Sequence, residues 1–501
     1  MSTTILSPIS RAFISNTEPT SQRKQFGFSY FIKSNPLVFY ILCYVNQALQ
    51  RRKQLYMKEA IESKDLSSYE DEYKKDKSHK VIERTVTHNG LFNSAIDKET
   101  FDSLTNTFSV DVKAGSVTNQ KQSGRCWMFA GLNVLRTILM KNLGIKNIEL
   151  SQAYLQFYDK LEKSNATLER ALLLLDEPID SRMNTWNLDN TSDGGYFNWF
   201  SNLVKKYGVV PSYVMPDGAV SSATSELNST LNKLIAKDIY SLRKAHSEGK
   251  SLEDLRSLKE GYLSEIYKVL GMTLGTISES FTFEYVDKDE KYHNEGKFTP
   301  KEFYDKYIGG DFSNYLGLGH YPLPSFKEYQ RYECKWIKNV AEGEAASWFS
   351  IPLNKLKEAL IASLKDDTIV WFAADVREEC LRKEGLMGKD LIRVDELLGV
   401  EFPLTKGERL LYRTSTCCHA MTFTGVNLDE KGLPNRWKIE NSWGKDNGKD
   451  GYYVSDDAWF DEYVYEIWVD KKYVDPEIVK KYEESKAEEI EPFNPVTLIM
   501  K

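Results

Sequence analysis

The chain has 501 residues, a hydrophobic share of 41%, a charged share of 28% and a formal net charge of −7. That length fits about three domains, or one core with large insertions, in an ordinary soluble globular protein. The acidic balance argues against nucleic-acid binding as the main role. Six scattered cysteines, two of them adjacent, make a poor disulfide framework and point to a reducing compartment.

Residues 1–57 carry seven basic residues, Arg11, Lys24 and Arg51 among them, against one acid, Glu18. This acid-poor, Ser/Thr-rich composition resembles an organelle transit peptide, with Met57 as an alternative translation start; a disordered extension with a sticky apolar patch is the competing reading. Inside it, "PLVFYILCYV" (36–45) is apolar but far short of the roughly 20 residues that span a bilayer, so no membrane partner is expected. Charged helix and loop follow from 58 to about 110. "CWMFAGLNVLRTILMKN" (126–142) sets Met128, Leu132, Leu135 and Leu139 at helical spacing, and Gly144 closes it as a C-cap. "LSQAYLQFYDKLEKSN" (150–165) predicts a second helix with Ser151 as N-cap. "GYFNWFSNLVKKYGVVP" (195–211) predicts a third, closed by Gly208 and Pro211.

Residues 220–272 are long, charged and helical in pattern, which reads as an insertion. From about 415 the style changes. "HAMTFTGVNL", "NRWKIENSW", "DGYYVSDDAWF" and "YVYEIWVD" are rich in β-branched and aromatic residues, with "DEKGLP" and "GKDNGKDG" as turns between them. Helices first and an antiparallel sheet afterwards define an α+β class. The tail from 471 to 492 is charged and partly helical, and "PFNPVTLIMK" (492–501) reads as extended.

Cys126 opens the first apolar helix, directly after the flexible Ser123–Gly124 and Arg125. A cysteine nucleophile needs its thiolate, and the unpaired N–H groups of a helix start favour an anion. A second device is an imidazolium. Of six histidines, only His419 opens an apolar strand; the others lie in polar stretches or turns. Asn441, 22 residues on, ends the next strand and would orient the imidazole without adding charge, with Trp443 covering that bond. Gln120 has a side-chain amide placed to help the Cys126 N–H hold a developing oxyanion. The adjacent ligands of "CCH" (417–419), and the lack of HExxH or CxxC spacing, leave no metal or cofactor expected.

"NQKQSGRCWMFA", "HAM" and "ENSWGKDNGKDGYYV" together resemble the papain superfamily of cysteine peptidases, and within it the bleomycin hydrolase family. Ser123 stands where papain has a disulfide-forming cysteine. The 293 residues from Cys126 to His419 far exceed the roughly 130 of papain-like enzymes. "ELSQAYLQFYDKLEKSN", "DGGYFNWFSNLVKKYGVVP" and "FTFEYVDKD" extend the likeness across about residues 90–501. The resemblance implies a papain-like two-part core, a helical part plus an antiparallel β-barrel-like part, with large, mainly helical insertions. Its expected divisions are an N-terminal extension (1–57), an arm and helical part with the nucleophile (58–215) and an inserted, mainly helical region (216–400). A β-rich part with His and Asn (401–475) and a C-terminal arm reaching the cleft (476–501) follow.

The resemblance further implies Cys126 as nucleophile, His419 as general acid and base, Asn441 as its orienter and Gln120 as oxyanion donor. Gly194 and Gly195 match the glycines lining the papain cleft, where a substrate backbone approaches. In the family the C-terminal arm lies in the cleft and its carboxylate receives the substrate's amino group. Met500 and Lys501 would do so here, although "TLIMK" departs from the small-residue ending of the family. Cytoplasmic aminopeptidase action on peptides with a free N-terminus, in a homohexameric ring, is implied in turn, with a mitochondrial form through residues 1–56. An endopeptidase of the same superfamily and a nucleic-acid-binding ring protein are the competing readings.

Overall fold

The computed structural model describes residues 60–188, 192–310 and 312–497, so the readings made on residues 1–57, Met500 and Lys501 lie outside it. Chain contacts separate residues 1–85 from residues 86–501. The first unit contains helix α1 (Ser63–Lys75), whose capping box pairs Glu62 with Asp65. Helix α2 (Ser78–Asn89) runs across the division.

In the second unit the helical periodicity near Cys126 becomes α3 (Cys126–Leu143), closed by Gly144 at φ +64°. Met128, Leu132, Leu135 and Leu139 are buried, and Phe129, Ala130 and Val134 are buried with them, so the helix is apolar almost all round and sits inside the core. Helix α4 (Gln152–Leu173) starts at Ser151, whose hydroxyl accepts the Tyr154 N–H. It runs eight residues past the expected end at 165. Ser164 looks like a stop, but its hydroxyl bonds back to the Lys160 carbonyl at 2.7 Å, and Leu168, Ala171 and Leu172 continue the buried stripe. Helix α5 (Phe197–Tyr207) ends at Gly208, φ +69°, where a Cβ would stand 2.3 Å from the Pro300 carbonyl oxygen. Helices α6 (Ser225–Ser247) and α7 (Leu252–Leu274) pack on each other and on α4.

Helix does not continue through residue 400. A hairpin, β2 (Phe281–Val286) and β3 (Tyr292–Phe298), comes first. Strands β4 (Tyr315–Gly319), β5 (Gln330–Cys334), β6 (Ala346–Ser350) and β7 (Val370–Ala374) then enter the main sheet, with helix α8 (Leu353–Lys365) between the last two. These strands escape a period-2 reading because they are short, and β7 is buried on both faces; "VWFAA" (370–374) is continuously apolar. Strands β8 (Cys380–Leu381) and β9 (Leu386–Met387) close this stretch.

Strand β10 (His419–Leu428) matches the apolar segment read from sequence, and β11 (Pro434–Glu440) and β12 (Tyr452–Asp456) follow it. "DDAWF" is not strand but helix α9 (Asp457–Tyr463), because Asp456 accepts the Trp459 N–H as an N-cap at 2.6 Å. Strand β13 (Val464–Asp470), helix α10 (Pro476–Glu484) and strand β14 (Glu488–Glu489) follow, and the described part of 492–501 is not extended as expected but turns into a 3-10 helix at Pro495–Thr497, where the Thr497 N–H donates to the Asn494 carbonyl at 3.0 Å. Among the described residues the order is β14-β5-β6-β4-β13-β7-β10-β11-β12-β9-β8, with β1 (Val110–Asp111) also on β10. Pairings β4–β6, β9–β12 and β5–β14 are parallel, so the sheet is mixed rather than purely antiparallel.

Helix α3 packs on β10. The seam is fastened by Arg136 of α3 and Glu440 at the end of β11, a fully buried ion pair, with Arg136 Nη1 also donating to the Ser116 carbonyl at 2.6 Å. Burial pushes Glu440 up to about 7 against the pull of Arg136. Arg136→Met should therefore cost about 3 kcal/mol or more at pH 8, where it strands a buried carboxylate, and less at pH 5.5, where Glu440 takes a proton. Denaturant midpoints at the two pH values measure this; equal losses would refute the stranded charge.

Candidate active site

The turn before α3 is built by a buried guanidinium. Arg125 donates to both carboxylate oxygens of Asp217 at 3.0 Å, to Gln156 at 3.0 Å and to the Ser123 hydroxyl at 3.0 Å. Cys126 is thus presented at the first turn of a fixed helix, with its thiol half-buried. At the second residue of β10, the Ala420 N–H reaches the same sulfur.

The pairing of Thr422 with Glu440 brings the start of β10 beside the end of β11. His419 Nε2 donates to Asn441 Oδ1 at 2.8 Å, and the Ser442 N–H donates to that same oxygen at 2.8 Å, which fixes the amide orientation. The proton on Nε2 leaves Nδ1 as the basic nitrogen of the neutral ring. The Trp443 ring lies 4.7 Å from the imidazole, tilted by 30°, and shields the His–Asn bond.

Gln120 ties the nucleophile turn to this sheet. Its N–H donates to the Ser442 carbonyl at 2.8 Å, and its Oε1 accepts the Ser442 hydroxyl at 2.6 Å. Its Nε2 donates to the Ser123 carbonyl at 2.6 Å, leaving the second amide hydrogen for the cavity that Gln120 lines. That cavity, about 330 Å³, is also lined by Cys126, His419, Gly194, Gly195 and Val496. The structure thus gathers Gln120, Cys126, His419, Gly194 and Gly195 at one cavity, with Asn441 and Trp443 directly behind the imidazole. A Cβ on Gly195 would fall 2.3 Å from Trp127, the neighbour of Cys126, so packing as well as access requires glycine there.

Several residues around the site carry no sequence signal. Asp193, before the two glycines, is buried and accepts from Lys160 at 2.7 Å, Asn228 at 3.0 Å, the Gly124 N–H at 2.9 Å and the Thr224 hydroxyl. Burial would raise its pKa, but Lys160 and these donors hold it well below the carboxylate range. Lys163 donates to the Ser192 and Gly194 carbonyls at 2.9 and 2.8 Å. The "SDGG" segment is therefore pinned to α4 on one side and to the Cys126 turn on the other. The signal was hidden because lysines on an amphipathic helix read as a solvated face.

Burial pushes the Cys126 thiol up, opposed by the N–H groups of Ala420, Trp127 and Cys126 itself. Burial also lowers His419 to about 4; Asn441 pulls it back and Arg382 pushes the same way as burial. A lone thiolate and a lone imidazolium are both disfavoured. A proton passed from sulfur to Nδ1 would create the two charges together, each offsetting the other's desolvation. Among the described residues no group of His, Cys, Asp and Glu side chains could hold a metal ion, and no helix is long and apolar enough to cross a membrane.

The Peptidase C1-like family profile matches residues 60–497. Aminopeptidase C of Listeria monocytogenes is 37% identical over 432 residues, covering 86% of this chain and 97% of that protein. Aminopeptidase E of Lactobacillus helveticus is 38% identical over 412 residues, covering 82% and 93%. The crystal structure of PepW from Lactobacillus rhamnosis superposes with a TM-score of 0.86 at 36% identity, covering 89% of this chain and all of that one.

The His419 shift has a stability consequence. Below pH 6.5 the unfolded chain takes up a proton that the folded chain refuses until about pH 4. The contribution is thus complete above pH 6.5 and falls by up to about 3 kcal/mol as the pH drops to 4. Denaturation midpoints of His419→Gln should decline less across that window than those of the wild type; parallel declines would contradict the buried neutral imidazole.

Proposed function

The chain belongs to the peptidase C1-like family, and we propose that it is a cysteine aminopeptidase of the bleomycin hydrolase type. The carrying observation is that one cavity is lined by Cys126, His419, Gln120 and Val496. The Cys126 thiolate attacks the first carbonyl of a peptide, its proton having passed to His419 Nδ1. The Gln120 amide and the Cys126 N–H stabilise the oxyanion. His419 gives the proton to the departing amine, leaving an S-acyl enzyme. Water, deprotonated by His419, then releases the amino acid and restores the thiol. Asn441 keeps the ring in the required tautomer throughout.

The restriction to N-terminal residues comes from the arm. Tyr196 donates its hydroxyl to the Thr497 carbonyl at 2.8 Å, and Val496 lines the cavity beside Cys126 and His419. Residues 498–501 extend at most about 14 Å beyond, enough for Met500 and Lys501 to enter the cleft and for the terminal carboxylate to receive an α-ammonium. Gly194 and Gly195 admit the substrate backbone. In keeping with this type of enzyme, the proposed assembly is a homohexamer acting in the cytoplasm, residues 1–56 serving as a targeting segment when translation does not start at Met57.

Cys126→Ala should lower hydrolysis of an aminoacyl 4-nitroanilide by at least about 10³-fold. Deleting residues 498–501 should weaken cleavage of free N-termini and introduce cleavage inside N-acetylated peptides, both read by mass spectrometry. Undiminished aminopeptidase activity without internal cleavage would eliminate the arm's role; internal cleavage already present in the intact chain would favour the endopeptidase reading.

A further inference from the structure

The cavity accounts for the acyl side of the substrate, where the arm's Val496 and Gly194 and Gly195 lie. The departing peptide must leave past the other side of His419, where Trp443 stands outside that lining. Over Trp443 lies Arg382, its Cζ 4.8 Å from the indole ring centre. Successive separations of 4.7 and 4.8 Å put the guanidinium no more than about 9.5 Å from the imidazole. Among the described residues Arg382 has no carboxylate partner, and its side chain is exposed.

Its backbone, by contrast, is clamped. Arg382 begins the turn "RKEG" between β8 and β9. The Gly385 N–H donates to the Leu381 carbonyl at 2.8 Å, the Gly448 N–H to the Lys383 carbonyl at 2.9 Å, and the Val454 N–H to the Gly385 carbonyl at 2.8 Å. The Tyr453 hydroxyl donates to the Arg382 carbonyl at 2.9 Å. Gly385 has φ +70°, and a Cβ there would lie 2.4 Å from Gly448 Cα, so this turn packs backbone to backbone against the loop after Trp443. A rigid stem and a stacked, unpaired guanidinium make a fixed cation beside the general acid.

We propose that Arg382 is a specificity-determining residue that receives a carboxylate carried by the departing peptide. This rests on the proposed aminopeptidase reaction, with the arm on the acyl side. To take the proton, the leaving nitrogen comes within about 3 Å of the imidazole. An extended chain advances about 3.3–3.6 Å per residue, so a carboxylate one or two residues beyond that nitrogen meets the guanidinium. A longer product carries its terminal carboxylate past it. The anion is therefore the α-carboxylate of a short departing portion or an acidic side chain at its first position. The planar fork suits either bidentately, and stacking on Trp443 preserves its orientation.

The test compares kcat/KM within two substrate pairs: Leu-Ala against Leu-Ala-amide, and Leu-Asp-amide against Leu-Asn-amide. The wild type should favour the charged member of at least one pair roughly two- to five-fold, the range of an exposed charge pair. A preference in the first pair assigns the terminal carboxylate, and in the second the acidic side chain. Arg382→Gln should bring the preferred ratio to about one, and Arg382→Glu should invert it; a ratio taken within one variant cancels any loss of folded enzyme. A wild-type ratio of one in both pairs, or a preference that survives Arg382→Gln, overturns the proposal. Failure of the wild type to hydrolyse any of the four, or leucine 4-nitroanilide, would instead refute the aminopeptidase reading.

Discussion

A thiol on a helix and an imidazole on a sheet stay in register only if helix and sheet cannot slide. Here the seam between α3 and strands β10 and β11 carries that constraint. Arg136 and Glu440 lock it in the interior, one residue before Asn441 and ten after Cys126. The Trp371 indole donates to the Trp127 carbonyl at 3.1 Å, tying β7 to the first turn of α3. Gln120 and Ser442 exchange bonds across the same seam at its solvent end. Each link joins the helical side to the β side within a few residues of a candidate catalytic group.

The same burial sets the chemistry. Burial at the seam makes a charge on Cys126 or on His419 alone expensive. Polar groups that must stay inside are paired in consequence: Asp193 with Lys160, Lys163 with Asp159, Arg125 with Asp217. These pairs hold the turn before Cys126 and the glycine segment opposite it. The cleft is a gap between two independently braced backbones rather than a hollow in one element.

What could be read from the chain follows from this division. Cys126, His419 and Asn441 stand out because each sits at or beside the end of a legible element, Gln120 because it lies six residues before Cys126, and the fold brings all four to one place. Strand β10 is legible to the residue because it is long, rich in β-branched and aromatic residues, and ends in turn chemistry. Strands β4 to β9 are not, since segments of two to five residues are too short to establish a period. Helix α4 outruns its apparent end because Ser164 satisfies its own turn. Asp193, Arg136 and Arg382 are invisible for a different reason: their partners lie 33, 304 and 61 residues away, and a charged residue in a local window reads as surface.

The arrangement of β10 between β7 and β11, so far downstream of α3, also orders events in time. During synthesis Cys126 precedes His419 by 293 residues. At about 5–20 residues per second the thiol waits tens of seconds for its base. Through that interval it is an ordinary cysteine without a catalytic partner. Val496 and the residues after it arrive last of all. The nucleophile is therefore without its base until the strands that position His419 and Asn441 have been made.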